Sequence, residues 1–281
     1  MTKGTLRWSR PPAGLALVAG TLLCLAPAPA FAQVAQAAQP GTLSSQAAAP
    51  PRADGRRTMG RLLANLGRDV VGVFATDSLR PLLIGSAATG VAAIFDHEIS
   101  DAIGDPESDV GKIGNAAGGG LVVGGVVAAL FVAGRLSDHQ RFRAATYDLL
   151  TGTLVTQAYT SLIKVAVNRP RPDGSTSRID SSFPSQHSSS SFAMATVLER
   201  HYGWKAGVPG YAVASLIAAS RVRYNRHYLS DVVAGSTLGI IVGRAAVRMN
   251  GKPLPASGGS RRTSVSISPV GRAGLQVAVV F

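Results

Sequence analysis

Apolar and polar positions along this chain fall into blocks, and most blocks have helical length. Leu79 to Phe95 is an apolar run, Ala116 to Gly134 is the most hydrophobic stretch after residue 32, and Ala144 to Val167 keeps a helical pattern while carrying Asp148 and Lys164. Ser188 to Tyr202, Ala206 to Ser220 and Leu229 to Met249 continue the series. Residues 58–76 read as a short amphipathic helix, and Asp96 to Asn115 as an acidic, polar connection. The pattern predicts an all-α bundle of about six helices over residues 58–250. Gly235, Gly239 and Gly243 recur every four residues and predict a small-residue face for helix packing. After a Gly/Pro/Ser/Arg linker at 251–263 the period changes. Val265 and Ile267, then Leu275, Val277, Val279 and Phe281, alternate with other residues, which predicts a β-hairpin over 264–281. Two strands cannot close an outer-membrane barrel.

The start has a different logic. Lys3, Arg7 and Arg10 precede an apolar core from Gly14 to Leu25, and Ala30-Phe31-Ala32 offers a small-x-small cleavage site before Gln33. Residues 1–32 therefore read as a secretory signal peptide, with an uncleaved first helix as the alternative, and the Ala/Gln/Pro/Ser-rich residues 33–57 as a linker. The single cysteine, Cys24, lies inside that signal, so the mature chain would have no thiolate or disulfide chemistry.

Composition narrows the class. The chain is 46% hydrophobic and only 15% charged, with 32 glycines. That suits close-packed helices, in a membrane or as a periplasmic globule, and excludes a disordered chain. The formal net charge of +13 points to an anionic partner. Zinc-finger spacing, a basic-aromatic sheet motif and a lysine-rich arm are all lacking, so nucleic acid is not the partner. An anionic lipid or a phosphorylated small molecule remains.

Three polar clusters interrupt the apolar pattern. In Lys164-Val-Ala-Val-Asn168-Arg169-Pro170-Arg171-Pro172 the prolines stop a helix and leave two cations at its end. In Phe183-Pro184-Ser185-Gln186-His187-Ser188, Ser185 is a candidate N-cap and His187 sits in the first turn, where free N–H groups attract anions. In the third, Ser220-Arg221 is followed by His227 and Asp231. A helix through both of the last two would let the carboxylate bond one imidazole nitrogen and make the other more nucleophilic. Taken singly, each cluster also reads as cations or caps at a helix end. Together, two histidines, one carboxylate and several permanent cations fit chemistry on phosphate. No acidic cluster is placed at these motifs to hold a metal, so no metal or other cofactor is expected.

The order Lys-x6-Arg-Pro, Pro-Ser-x-His, Ser-Arg-x5-His-x3-Asp resembles the type 2 phosphatidic-acid phosphatase and vanadium haloperoxidase superfamily over roughly residues 79–247. The resemblance implies a helical bundle with the motifs meeting at one end. It implies His227 as nucleophile, Asp231 as its orienting group and His187 as general acid. Lys164, Arg171, Ser185, Gln186 and Arg221 would bind the phosphate. The family carries glycine where this chain has Gln186, whose backbone N–H is expected to face the phosphate; a positive φ there would be strained for glutamine. The expected activity is a metal-independent phosphatase of lipid phosphates in the bacterial cell envelope, with phosphatidic acid, phosphatidylglycerol phosphate and polyprenyl pyrophosphate as candidates. The alternatives are a nonspecific soluble periplasmic acid phosphatase, a vanadate-dependent haloperoxidase and an inactive envelope protein. The sequence gives two topologies. A cleaved signal followed by three spans brings the first motif to the cytoplasm, whereas the arginines at 52–68 and 135–143 put it outside under the positive-inside rule.

Overall fold

The structure, a computed structural model, describes residues 54–252 and the backbone of residues 264–270 and 274–280. The signal-like start, most of the 33–57 linker and the linker at 253–263 lie outside the described residues. The helices are α1 (Leu62–Gly72), α2 (Leu79–Ile94), α3 (Asp96–Ile103), α4 (Asp109–Ala117), α5 (Gly120–Leu136), α6 (Gln140–Val167), α7 (Gln186–Tyr202), α8 (Trp204–Arg223) and α9 (Leu229–Gly251). Two strands, β1 (Ser264–Val270) and β2 (Gly274–Val280), pair antiparallel with Ile267 opposite Val277.

The long helices α2, α5, α6, α7, α8 and α9 correspond to the six apolar blocks. The acidic stretch 96–115 is different from the connection expected: it folds into α3 and α4. Ser108 caps α4 by accepting from the Gly111 amide at 3.4 Å, and glycines at 111 and 114 let α4 lie against Ser220 of α8 and Tyr224 just beyond its end. A glycine-rich contact face carries little hydrophobic signal, which is why the pattern hid these helices. Elsewhere local chemistry ends the helices where the sequence predicts. Asn168 takes the left-handed conformation (φ 48°) at the end of α6, two residues before Pro170. Gly203 (φ 80°) turns α7 into α8.

Successive long helices run in opposite directions. The ends of α2, α6 and α8 therefore meet, as bonds among Asp96, Arg169 and Ser230 show. The ends of α5, α7 and α9 meet at the other pole, where Arg135 bonds the Arg57 carbonyl and His201 bonds Asp148.

Beside an apolar cluster of Val123, Val127, Leu149 and Val197, much of the interior is built from small and polar side chains. Thr151, Thr156 and Thr160 of α6, and Ser188, Ser189, Ala193 and Thr196 of α7, are buried. Large apolar residues face outward: Leu83 is 69% exposed, Leu121 94%, Leu162 65% and Leu216 66%. In water such an exposed belt is unfavourable, whereas lipid covers it at little cost. By length and composition α9 can cross a membrane; the bent pairs 59–94 and 109–136 can do so if each counts as one span.

The glycine face of α9 packs on α7. A Cβ at Gly235 would lie 2.5 Å from the Ser185 carbonyl oxygen, and one at Gly239 would lie 2.2 Å from that of Ser189. Backbone cannot yield as a flexible side chain can. Gly239→Ala is therefore expected to cost about 1–3 kcal/mol of stability. Gly124→Ala, where a Cβ meets nothing within 4 Å, should be neutral or slightly stabilising. Denaturant midpoints followed by helical circular dichroism check this, and equal midpoints for the two variants would remove the close α7–α9 contact as a requirement.

Candidate active site

The three clusters converge at the pole where α6 and α8 end and α7 and α9 begin. His227 precedes α9 and is 2% exposed. Its Nδ1 lies 2.7 Å from the carbonyl oxygen of Ser182. A carbonyl only accepts, so Nδ1 carries the proton and the Nε2 lone pair is free. Asp231 stands 3.7 Å from the same Nδ1, beyond hydrogen-bond length. The direct imidazole–carboxylate bond expected from the spacing is thus replaced by a carbonyl bond with the carboxylate behind it. The reason is local: α9 starts two residues after His227, and Asp231 caps it by accepting from the Tyr228 amide at 2.8 Å.

Asp231 also accepts from the Ser182 hydroxyl and, at 2.8 Å, from Arg169 Nη1. Arg169 Nη2 donates to Asp96 at 2.8 Å, and Asp96 accepts the Ser230 amide at 2.8 Å and the Ser230 hydroxyl at 2.5 Å. The Arg169 guanidinium stacks over the Tyr228 ring, 4.1 Å from its centroid. These partners tie α3, the loop after α6 and the start of α9 around the His227 loop.

The expected phosphate ligands are buried cations. Lys164 is 3% exposed and donates to the Ser181 carbonyl. Arg221 is 2% exposed; its Nη1 donates to Asn115 Oδ1 at 2.8 Å, and its buried Nε has no partner. Among the described residues neither has a carboxylate partner. Arg171 bonds both the carbonyl and the carboxylate of Asp180. A buried charge without a counter-ion is costly, and an oxyanion between these groups would offset that cost.

Ser185 is fully buried and caps α7, its Oγ accepting the Ser188 amide at 3.4 Å; its own amide donates to the Asp231 carbonyl at 3.0 Å. Gln186 opens α7 in helical conformation and donates from its side chain to Gln157. Positive φ values among non-glycine residues occur at Asn168 and Asn225, so glutamine at 186 carries no such strain. His187, half-buried, has its Nε2 3.2 Å from the Asn115 carbonyl, so a neutral ring keeps its lone pair on Nδ1. Its ring lies against Gly118, where a Cβ would come within 2.4 Å.

Burial holds His227 below the ordinary imidazole value, at about 4, although Asp231 pulls the other way. Burial and Arg221 likewise lower His187. Both rings are therefore neutral at neutral pH. Among the described residues no group of three or more His, Cys, Asp or Glu side chains could hold a metal ion.

Sequence reasoning missed Asp96, Asn115 and Ser182, and gave Arg169 no role. Asn115 and Asp96 sit in the stretch taken for a connection. Their partners Arg221 and Ser230 lie more than 100 residues away, so local spacing carries no sign of them.

Residues 145–254 match the model of the PAP2 superfamily. The chain is 42% identical over 83 residues to a lipid A 1-phosphatase of Porphyromonas gingivalis, a match covering 28% of this chain and 18% of that protein. It is 29% identical over 135 residues to a PA-phosphatase related-family protein of Dictyostelium discoideum, covering 39% of this chain and 49% of the relative. The chain thus spans less than half the length of these relatives. Among solved structures it is similar to a transmembrane PAP2 type phosphatidylglycerolphosphate phosphatase of Bacillus subtilis, with TM-score 0.48, 20% identity and coverage of 63% of this chain and 94% of the other. It is also similar to LpxE of Aquifex aeolicus, with TM-score 0.45, 21% identity and coverage of 55% and 95%.

The lowered His227 value has a consequence for stability. A histidine depressed in the folded state contributes stability that is complete above its unfolded value of about 6.5 and is lost as pH falls through about 4. His227→Gln should therefore show a shallower loss of stability between these pH values than the parent chain. Denaturation midpoints measured across that range decide it, and parallel profiles would mean that His227 is not held neutral by its surroundings.

Proposed function

We propose that this chain, whose residues 145–254 match the model of the PAP2 superfamily, is a phosphatase that works through a phosphohistidine on His227. One observation carries the reading: His227 keeps a free Nε2 lone pair in the field of buried Lys164 and Arg221, two cations without carboxylate partners.

The chemistry follows from that arrangement. A phosphate monoester enters between Lys164, Arg171 and Arg221, and the α7 amides of Gln186 and His187 add donors at the helix start. The anion offsets the positive field that keeps His187 neutral, so His187 takes up a proton. The Nε2 lone pair of His227 attacks phosphorus, and the bond from phosphorus to the leaving oxygen breaks. That oxygen receives the His187 proton. Water then gives a proton to His187 and its oxygen to phosphorus, the P–N bond breaks, and inorganic phosphate leaves. The Ser182 carbonyl, with Asp231 behind it, favours the positive ring during the attack. The cations of the protein neutralise the phosphoryl oxygens, so no metal is required.

The substrate class is a lipid phosphate. The outward apolar residues of α2, α5, α6 and α8 support a membrane setting, and the Porphyromonas gingivalis relative acts on a lipid by its name.

His227→Ala should abolish turnover of lipid and soluble phosphomonoesters, while activity of the parent chain persists in excess EDTA. A variant retaining more than about a tenth of the rate would remove His227 as nucleophile. Preference for p-nitrophenyl phosphate over every lipid phosphate would favour a nonspecific acid phosphatase.

His187→Ala should slow phosphoenzyme formation from an alkyl phosphate at least tenfold more than from p-nitrophenyl phosphate, whose leaving group needs no proton; general acids typically contribute about 100- to 10,000-fold. Rapid-quench measurement with both substrates checks this, and equal losses would leave His187 a binding role only.

A further inference from the structure

We propose that the pole remote from His187 and His227 holds a second phosphate site, a cavity of α2, α7 and α9 that takes the headgroup of an anionic phospholipid. The cavity has a volume of about 250 Å³ and is lined by Asp77, Ser78, Arg200, Ile241, Arg244 and Arg248. Thirteen residues of α7 separate Arg200 from His187, and thirteen of α9 separate Arg244 from Asp231. At 1.5 Å per residue each separation is about 20 Å, so this cavity is not part of the catalytic pole.

Its donors suit a phosphate. Arg248 is fixed by Asp77 at 2.8 Å and by the Gly72 carbonyl at 2.6 Å. Arg200 and Arg244 make no hydrogen bond or ion pair among the described residues, which leaves three guanidinium groups against one carboxylate. Ser78, 6% exposed, adds a hydroxyl to the lining. Two free guanidinium forks and a hydroxyl are the donor set that recognises tetrahedral oxyanions.

The surroundings favour a lipid as the source of that phosphate. Leu79, Leu82 and Leu83, at 53%, 48% and 69% exposure, lie on the outward face of α2, the helix whose first turn lines the cavity at Pro81. Basic pockets between helices at a membrane interface hold anionic headgroups in this way. A phosphodiester headgroup offers no monoester for His227, so occupancy here is separable from catalysis.

The test uses the full chain in a nonionic detergent, with thermal midpoints recorded for the parent and for the Arg200→Ala/Arg244→Ala double variant. Each is measured alone and with phosphatidylglycerol, phosphatidylcholine or inorganic phosphate. Both altered side chains are exposed, and the lipid-free midpoint of the variant shows whether it is folded. Phosphatidylglycerol is expected to raise the parent midpoint by several degrees, and the variant midpoint by less than about a third as much, as selective binding to the native state requires. Phosphatidylcholine should shift neither. Equal shifts in parent and variant would overturn the site. A variant-sensitive shift with inorganic phosphate and none with phosphatidylglycerol would overturn the lipid assignment.

Discussion

Arg169 lies between two buried carboxylates, and the catalytic pole is organised around it. One side of the guanidinium bonds Asp96 at the start of α3, and the other bonds Asp231 in the first turn of α9. Asp231 in turn accepts from Ser182, whose carbonyl holds Nδ1 of His227, and its own carbonyl receives the Ser185 amide. One cation thereby links His227, the cap of α7 and the short helices between α2 and α5. Breaking a buried pair of this kind leaves an uncompensated charge, at a typical cost of about 3–5 kcal/mol. The cation is matched by two anions, so a single loss would strand a carboxylate in the core.

The phosphate-facing cations are arranged in the opposite way. Lys164 and Arg221 are more deeply buried than Arg169, but their partners are a carbonyl and an amide oxygen. Arg221 keeps one buried N–H without any partner. Neutral acceptors orient these cations and leave their charge uncancelled. The structure thus separates its buried charges into a neutralised set that holds the loops and an uncancelled set that attracts an anion. Asn115 belongs to both functions, since its side chain orients Arg221 and its carbonyl fixes the His187 ring.

The packing that permits this is close and small-sided. Glycines of α9 let its backbone approach α7 to a distance that no Cβ would allow, which brings the first turns of both helices together at the site. Large apolar residues have no room inside such a contact and lie on the outer surface instead. Interior polarity and exterior hydrophobicity are therefore one constraint seen from two sides.

Much of this was legible in the sequence, because it depends on residues close in the chain. Helical periodicity located the long helices, prolines and caps located their ends, and the three motifs named Lys164, Arg171, Ser185, His187, Arg221, His227 and Asp231. The repeat of Gly235, Gly239 and Gly243 located the face that packs on α7. The tertiary structure decided what depends on distant segments. It turned the polar stretch 96–115 into two helices through glycine contacts with α8, and so brought Asn115 to Arg221 and Asp96 to Ser230. It also gave His227 the carbonyl of Ser182, where the four-residue spacing suggested the carboxylate of Asp231. Spacing along a chain fixes which residues share a helical face, but a hydrogen bond is made by whichever acceptor the fold brings within about 3 Å. For His227 that acceptor came from a loop 45 residues earlier.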